Sequence, residues 1–241
     1  MKYRIQILYE DEDLLIVNKP PGLLTIPDRH APEKFNLFSH FVKKYGKIFT
    51  VHRLDKETSG VLCFAKNETA HRHLSLQFES RKVGKIYQVL VEGRIHLEEG
   101  VIDKPIAAAH TPSGKMHISK KGKPAVTVYK VVELFKNYTL LEASIKTGRT
   151  HQIRVHFESI GYPLAIDSTY GRKSDFYLSD LKLRKYKLGK GQEEKPLMTR
   201  LSLHASQLRL KHPEKEESMT FEAPLSKDFK AVIKQLQKWG K

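Results

Sequence analysis

The sequence predicts an α+β fold, and three patterns lead there. Short apolar runs bounded by turn residues, at positions 14–17 and 61–65, have the length of buried strands. Positions 85–91 alternate, with Tyr87, Val89 and Val91 on one face and Ile86, Gln88 and Leu90 on the other, which is the two-residue period of a strand. Apolar stripes at helical spacing stand beside these: Leu37, Phe38, Phe41, Val42 and Tyr45 early in the chain, and Phe229, Val232, Ile233, Leu236 and Trp239 at its end.

Taken in order, residues 5–9 form a candidate strand and Glu10-Asp11-Glu12-Asp13 a tight acidic turn. Four apolar residues in a row at 14–17 need cover on both faces. Their strand ends in Asn18-Lys19-Pro20-Pro21-Gly22, where Pro at the second and Gly at the third turn position is type II chemistry. The first stripe predicts a helix with Asn36 as its cap and Gly46 as its end. Residues 50–60 read as a polar loop. Asn67 opens a helix to about Arg81, with Ala70, Leu74 and Phe78 on one side. Residues 114–124 are basic and contain Gly and Pro, as an exposed hairpin arm would. Residues 125–134 and 138–146 are two strands that turn at Lys136-Asn137. Residues 150–160 read as a helix capped by Thr150 and ended by Gly161. Residues 172–195, with Lys182, Arg184, Lys185, Lys187 and Lys190, read as a mobile basic insertion. No repeat of fixed period and no Pro/Ser/Gly linker interrupts the pattern, so a single domain over residues 1–241 is expected.

Composition narrows the function. The 43 Lys and Arg against 27 Asp and Glu leave a net charge of +16, which calls for a polyanionic partner, nucleic acid first. Cys63 is the one cysteine, which rules out a disulfide scaffold and a Cys-ligated zinc finger. No apolar run approaches the ~18 residues of a membrane span. No apolar signal segment follows Met1, so the expected compartment is the cytoplasm. The pairs His71/His73 and His151/His156 are not spaced to share one ligand face. Neither a Rossmann glycine pattern nor a phosphate-binding loop is present.

The most informative stretch is His52-Arg53-Leu54-Asp55-Lys56-Glu57-Thr58-Ser59-Gly60. By itself it reads as a polar turn in which Asp55 bonds nearby amides. Five further segments accompany it: Asn18-Lys19-Pro20-Pro21-Gly22-Leu23, Lys85-Ile86-Tyr87, Gly122-Lys123-Pro124-Ala125, Thr147-Gly148-Arg149-Thr150-His151-Gln152-Ile153-Arg154-Val155-His156 and Leu203-His204-Ala205. Together, in this order and spanning residues 14–224, they resemble the RluA-type pseudouridine synthases, whose catalytic loop reads His-Arg-Leu-Asp, two variable positions, then Thr-Ser-Gly. The chain is similar to the short members, without the extra S4-type RNA-binding domain.

That resemblance implies a mixed, mostly antiparallel, bent sheet with flanking helices and a central RNA-binding cleft. It implies an isomerase that converts uridine to pseudouridine in structured RNA, with ribosomal RNA of the large subunit as the first substrate class and tRNA as the second. No cofactor, metal, membrane or DNA is called for, and a monomer is expected. Asp55 is the implied catalytic carboxylate and Arg154 its counter-ion. Tyr87 is implied to lie against the target base. A phenol with pKa near ~10 is a poor base, which favours stacking over proton abstraction. Arg53 is the residue implied to fill the space left by a flipped base, and His52, Arg149 and Leu203 complete the substrate-binding set. Arg149 before a helix start fits either a bound phosphate or a side chain reaching to water. Two rivals come from other classes. A non-catalytic RNA-binding assembly factor would keep the charge and lose the active-site set, and a metal-dependent nuclease would need a cluster of carboxylate or His ligands.

Overall fold

A computed structural model describes residues 5–109, 114–182, 186–189 and 191–240. In chain order its elements are β1 (Gln6–Glu10), β2 (Leu14–Lys19), α1 (Leu37–Tyr45), β3 (Phe49–Thr50), β4 (Ser59–Ala65), α2 (Glu68–Glu79), β5 (Gly84–Glu92), β6 (Glu99–Asp103), β7 (Ile106–Ala108), β8 (Met116–Ile118), β9 (Val126–Leu134), β10 (Tyr138–Ile145), α3 (Gln152–Ser159), α4 (Ser179–Lys182), β11 (Leu203–Lys211), β12 (Ser218–Glu222) and α5 (Lys227–Trp239). This is the α+β, mostly antiparallel arrangement that the sequence predicts. The chain divides into two compact units, residues 1–87 with 204–224 and residues 88–203 with 225–241. Strand β5 carries the chain from the first unit into the second.

In the first unit the strand order is β1-β2-β4-β11, with the start of β5 beyond β11, β12 on β11 and β3 on β4. Strand β4 pairs antiparallel with β2, from Leu14↔Ala65 to Lys19↔Gly60, and parallel with β11 at Ser59↔His204 and Gly60↔Ala205. Flanked on both edges, β4 buries all seven of its residues, and Leu14, Leu15, Ile16 and Val17 of β2 are wholly buried beside it. Apolar runs in these two strands are thus the sequence mark of a doubly covered strand. The Asn36 side chain caps α1 by accepting the Ser39 amide at 2.8 Å, and Gly46 closes the helix at φ +77°. Asn67 caps α2 in the same way through the Ala70 amide at 2.8 Å. That helix stops at Glu79, short of the expected Arg81, which lies in the left-handed region at φ 59°. In the acidic turn Asp11 accepts the Asp13 and Leu14 amides, the Tyr9 hydroxyl and His212 Nε2 at 2.6–2.9 Å.

In the second unit the order is the end of β5, then β10, β9 and β6. Helix α5 lays Phe229, Val232 and Leu236 into a core with Leu90, Phe135, Phe176 and Met198. Within residues 172–195, expected as a mobile basic insertion, Phe176 packs into this core. It is fully buried and bridges Met198, and α4 follows it directly. One aromatic outweighs the surrounding charge here, because burying a side chain of that size gives about 2 kcal/mol or more. Of the lysines and arginines named in that segment, Arg184, Lys185 and Lys190 lie outside the described residues. The basic arm is half of a two-stranded sheet, with β7 and β8 paired antiparallel from Ile106↔Ile118 to Ala108↔Met116. Its Met116 and Ile118 pack against Ile106, Val155 and Tyr170, so the arm is anchored along one side. A correction falls at α3. The cap is His151 in the left-handed conformation, φ 54° and ψ 20°, without a side-chain capping bond, and Thr150 lies before it. Among the described residues no helix is long and apolar enough to cross a membrane.

Candidate active site

The nine-residue loop of the first unit is fixed at three points around Asp55. At its start His52 Nε2 accepts the Cys63 amide of β4 at 3.0 Å, and the imidazole stacks on Phe78 of α2 with ring centres 4.7 Å apart. Next, Leu54 is held twice by Thr25, whose hydroxyl donates to the Leu54 carbonyl at 2.9 Å and accepts its amide at 3.3 Å. Beyond Asp55, the Lys56 carbonyl accepts from the fully buried Lys19 ammonium at 2.8 Å. The same Nζ donates to the Pro20 and Leu23 carbonyls at 3.0 and 2.5 Å. One lysine thus ties the type II turn at Gly22, φ 76°, to the loop. Three carbonyl acceptors are what lets a charged amine stay buried. The Thr58 amide closes a turn onto the Asp55 carbonyl at 3.1 Å.

The loop leaves through Thr58, Ser59 and Gly60, all buried. Ser59 Oγ lies 2.8 Å from His204 Nδ1, and His204 Nε2 lies 3.0 Å from the Ala223 carbonyl. A carbonyl only accepts, so Nε2 carries the proton and the Ser59 hydroxyl donates to Nδ1. Burial, reinforced by the charge of Lys85, pushes His52 down to about 3, so its ring is neutral with the proton on Nδ1. Tyr87, on β5 of the same unit, is 8% exposed. Burial first, and the carboxylate of Asp55 second, raise its phenol above the ordinary value of 10. Arg53 beside them points to solvent.

A second cluster is built within the other unit. Arg154 on α3 is gripped by Asp167 through two parallel bonds, Nε to Oδ2 and Nη2 to Oδ1, both 2.7 Å. Asp167 Oδ1 also accepts the Thr169 and Tyr170 amides at 2.8 and 3.0 Å. Burial alone would raise this carboxyl, but the guanidinium and the two amides together hold it below the usual range. The Arg154 guanidinium lies over the Tyr170 ring, 4.8 Å from its centre. Nearby, Gln152 folds back from the first turn of α3. Its Oε1 accepts the Thr147 hydroxyl at 2.6 Å and the Arg149 amide at 3.1 Å, and its Nε2 donates to the Val126 carbonyl at 3.0 Å. Among the described residues no three His, Cys, Asp or Glu side chains converge as metal ligands.

The profile of the family described as RNA pseudouridylate synthase matches residues 13–159, the segment that holds the pinned loop, Tyr87 and Arg154. The chain belongs to that family. A relative from Aquifex aeolicus, named an uncharacterized RNA pseudouridine synthase, is 41% identical over 244 residues, 97% of this chain and 73% of its own. The ribosomal large subunit pseudouridine synthase D of Haemophilus ducreyi is 35% identical over 245 residues, 97% of this chain and 71% of that one. Among solved structures, human RNA pseudouridylate synthase domain containing 4 superimposes with a TM-score of 0.72 at 26% identity, over 96% of this chain and 93% of the other.

The pseudouridine synthase motifs fall in both units. His52, Arg53, Asp55 and Tyr87 belong to the first, and Arg149, Arg154 and Leu203 to the second. His52 faces inward to Cys63 and Phe78, Leu203 is buried at the start of β11, and the Arg149 guanidinium donates to the Pro124 carbonyl at 3.1 Å. Four residues of the synthase escape the sequence reading in their roles: Lys19 as the tie between turn and loop, His204 as the partner of Ser59, and Asp167 and Tyr170 as the seat of Arg154. Asp167 left one signal, an acid directly after the apolar Leu164-Ala165-Ile166 and three positions before a tyrosine. Lys19 and His204 sit inside motifs whose letters do not disclose which carbonyl or hydroxyl they meet, and Tyr170 lies outside every motif.

Proposed function

We propose that this isomerase converts uridine to pseudouridine in structured RNA with Asp55 as the reacting carboxylate. The observation that supports it is the loop pinned by His52, Thr25 and Lys19 on either side of Asp55, with a buried Tyr87 close enough for the aspartate charge to raise its phenol. A group held by its neighbours on both sides keeps one aim toward a substrate. In the reaction the C1′–N1 bond breaks, uracil turns, and a C1′–C5 bond forms. C5 loses a proton and N1 gains one, so atoms balance with no cofactor. Acting on N1 and C5 requires the base to leave its stack, with Arg53 filling the gap. Tyr87, whose phenol is pushed up, serves by packing on the base rather than by taking the C5 proton. Arg154, seated on Asp167 and Tyr170, is the proposed catalytic cation, Arg149 and the β8 arm meet phosphates, and His52 and Leu203 hold the substrate-facing segments in place.

Large-subunit ribosomal RNA is the first substrate, in line with the name of the Haemophilus ducreyi relative, and tRNA the second. The test is metal-free incubation with total ribosomal RNA and with tRNA, followed by chemical mapping of pseudouridine, with Asp55→Asn in parallel. New sites made by the wild type and missing with Asp55→Asn are expected, with RNA affinity nearly intact because phosphate contacts carry binding. Turnover by Asp55→Asn near wild type removes Asp55 from the mechanism. Binding without modification of either RNA favours a non-catalytic assembly role.

A further inference from the structure

We infer that Tyr170 is a positioning residue that ties the basic β7–β8 hairpin to Arg154, so that the hairpin's hold on RNA and the setting of the arginine share one side chain. This rests on the proposed role of Arg154. Each end of the tyrosine has a separate task. Its hydroxyl accepts the Met116 amide, the first residue of β8, at 2.7 Å, and lies 2.9 Å from His151 Nδ1. Its ring face lies under the Arg154 guanidinium at 4.8 Å, while the Lys115 ammonium of the hairpin stands 5.3 Å from the ring centre. Asp167 grips Arg154 and fixes the Tyr170 amide with the same oxygen, so ring and guanidinium are held in one frame.

His151 adds an independent observation. A β-carbon in the left-handed region is strained, and His151 adopts it at the one helix position where a short polar side chain would ordinarily cap α3. Its imidazole leaves the cap unmade and meets the Tyr170 hydroxyl edge-on, with ring centres 5.5 Å apart at 75°. In this conformation the histidine side chain is held against the tyrosine instead of the helix start.

The two ends can be separated by substitution. Tyr170→Phe keeps the ring under Arg154 and removes both hydroxyl bonds. Tyr170→Leu removes the ring as well. With ribosomal RNA as substrate, Tyr170→Phe is expected to raise KM about tenfold, the factor of one ordinary hydrogen bond, while kcat stays within about twofold. Tyr170→Leu is expected to show the same KM rise and also a fall in kcat of about tenfold. In hydrogen exchange the Met116 amide is expected to exchange at least about tenfold faster in Tyr170→Phe, whatever the catalytic outcome. A purely structural tyrosine would lower thermal stability in both variants without splitting KM from kcat. An unchanged KM in Tyr170→Phe, equal kcat in the two variants, or an unaltered Met116 amide overturns the inference. Failure of the wild type to make pseudouridine overturns the proposed function instead, and Met116 exchange still reports whether the hairpin hangs on the tyrosine.

Discussion

A Cβ on Gly60 would stand 2.1 Å from the carbonyl oxygen of Ala205, and the residue's φ is +117°. The last letter of the catalytic-loop motif is therefore set by the approach of β11, where the parallel pairing brings the backbones of Gly60 and Ala205 together. Gly60→Ala is expected to destabilise the protein by at least about 2 kcal/mol, read as a lower urea midpoint, and an unchanged midpoint would show that the backbone yields. Lys19→Met keeps the bulk of the side chain but leaves the Pro20, Leu23 and Lys56 carbonyls without their shared donor. A loss of about 2–3 kcal/mol is expected, together with faster exchange of the Thr58 amide, since a buried acceptor without a partner bears its full desolvation cost. At this scale it was the family resemblance of the motifs, not the residue types alone, that singled out Asp55, Tyr87 and Arg154 as candidates. Asp167 and His204 were not legible, because their meaning lies in partners 13 and 145 residues away that only the fold brings near.

Helices with side-chain caps and strands with uninterrupted apolar runs were read from the sequence close to their observed limits, as α1, β2 and β4 show. Strands β3, β6, β7 and β12 have two to five residues and little alternation, so what makes them strands is the neighbour that receives their hydrogen bonds. The hairpin arm was visible as basic sequence, but its β7 half was not. The turn after β8 exposes Lys120, Lys121 and Lys123, while Gly122 lies against the Ile106 backbone, where a Cβ would come within 2.5 Å of the Ile106 carbonyl carbon. Charge on a fixed turn makes contacts of fixed geometry. Changing Lys120, Lys121 and Lys123 together to Gln is expected to flatten the slope of log K against log salt for RNA binding by about 2 to 3 units, at roughly 0.7–0.9 per lost phosphate contact. An unchanged slope would place RNA elsewhere.

Across the whole molecule, acid acts on both units with one sign. Burial tends to raise Asp11, but the Tyr9 hydroxyl, the Leu14 amide and His212 take it to about 2, and Arg200 and Ser226 do the same for Asp228. With folded pKa values below the ordinary 3.8, both contribute stability above that pH and lose it as pH falls toward 2. His52, pushed from 6.5 to about 3, works over a higher window: the unfolded chain takes up a proton that the folded one refuses, so stability falls from pH 6.5 downward. Urea midpoints are expected to decline in two stages on acidification, and His52→Gln, whose amide oxygen can still accept the Cys63 amide, to shrink the upper stage, to which the buried His156, also held below 6.5, contributes the same sign. A single decline below pH 4 in the wild type would mean that His52 protonates freely. The first unit is completed late in synthesis. Its residues 204–224 are made only after all of 88–203, yet Ser59 waits for His204 and β4 for its parallel neighbour. On the ribosome the first unit lacks a strand until residues 204–224 emerge, and the second lacks α5 until the residues after them follow. The loop bearing Asp55 therefore reaches its final form only after residues 204–224 are made, and a chain terminated before them is expected to be inactive.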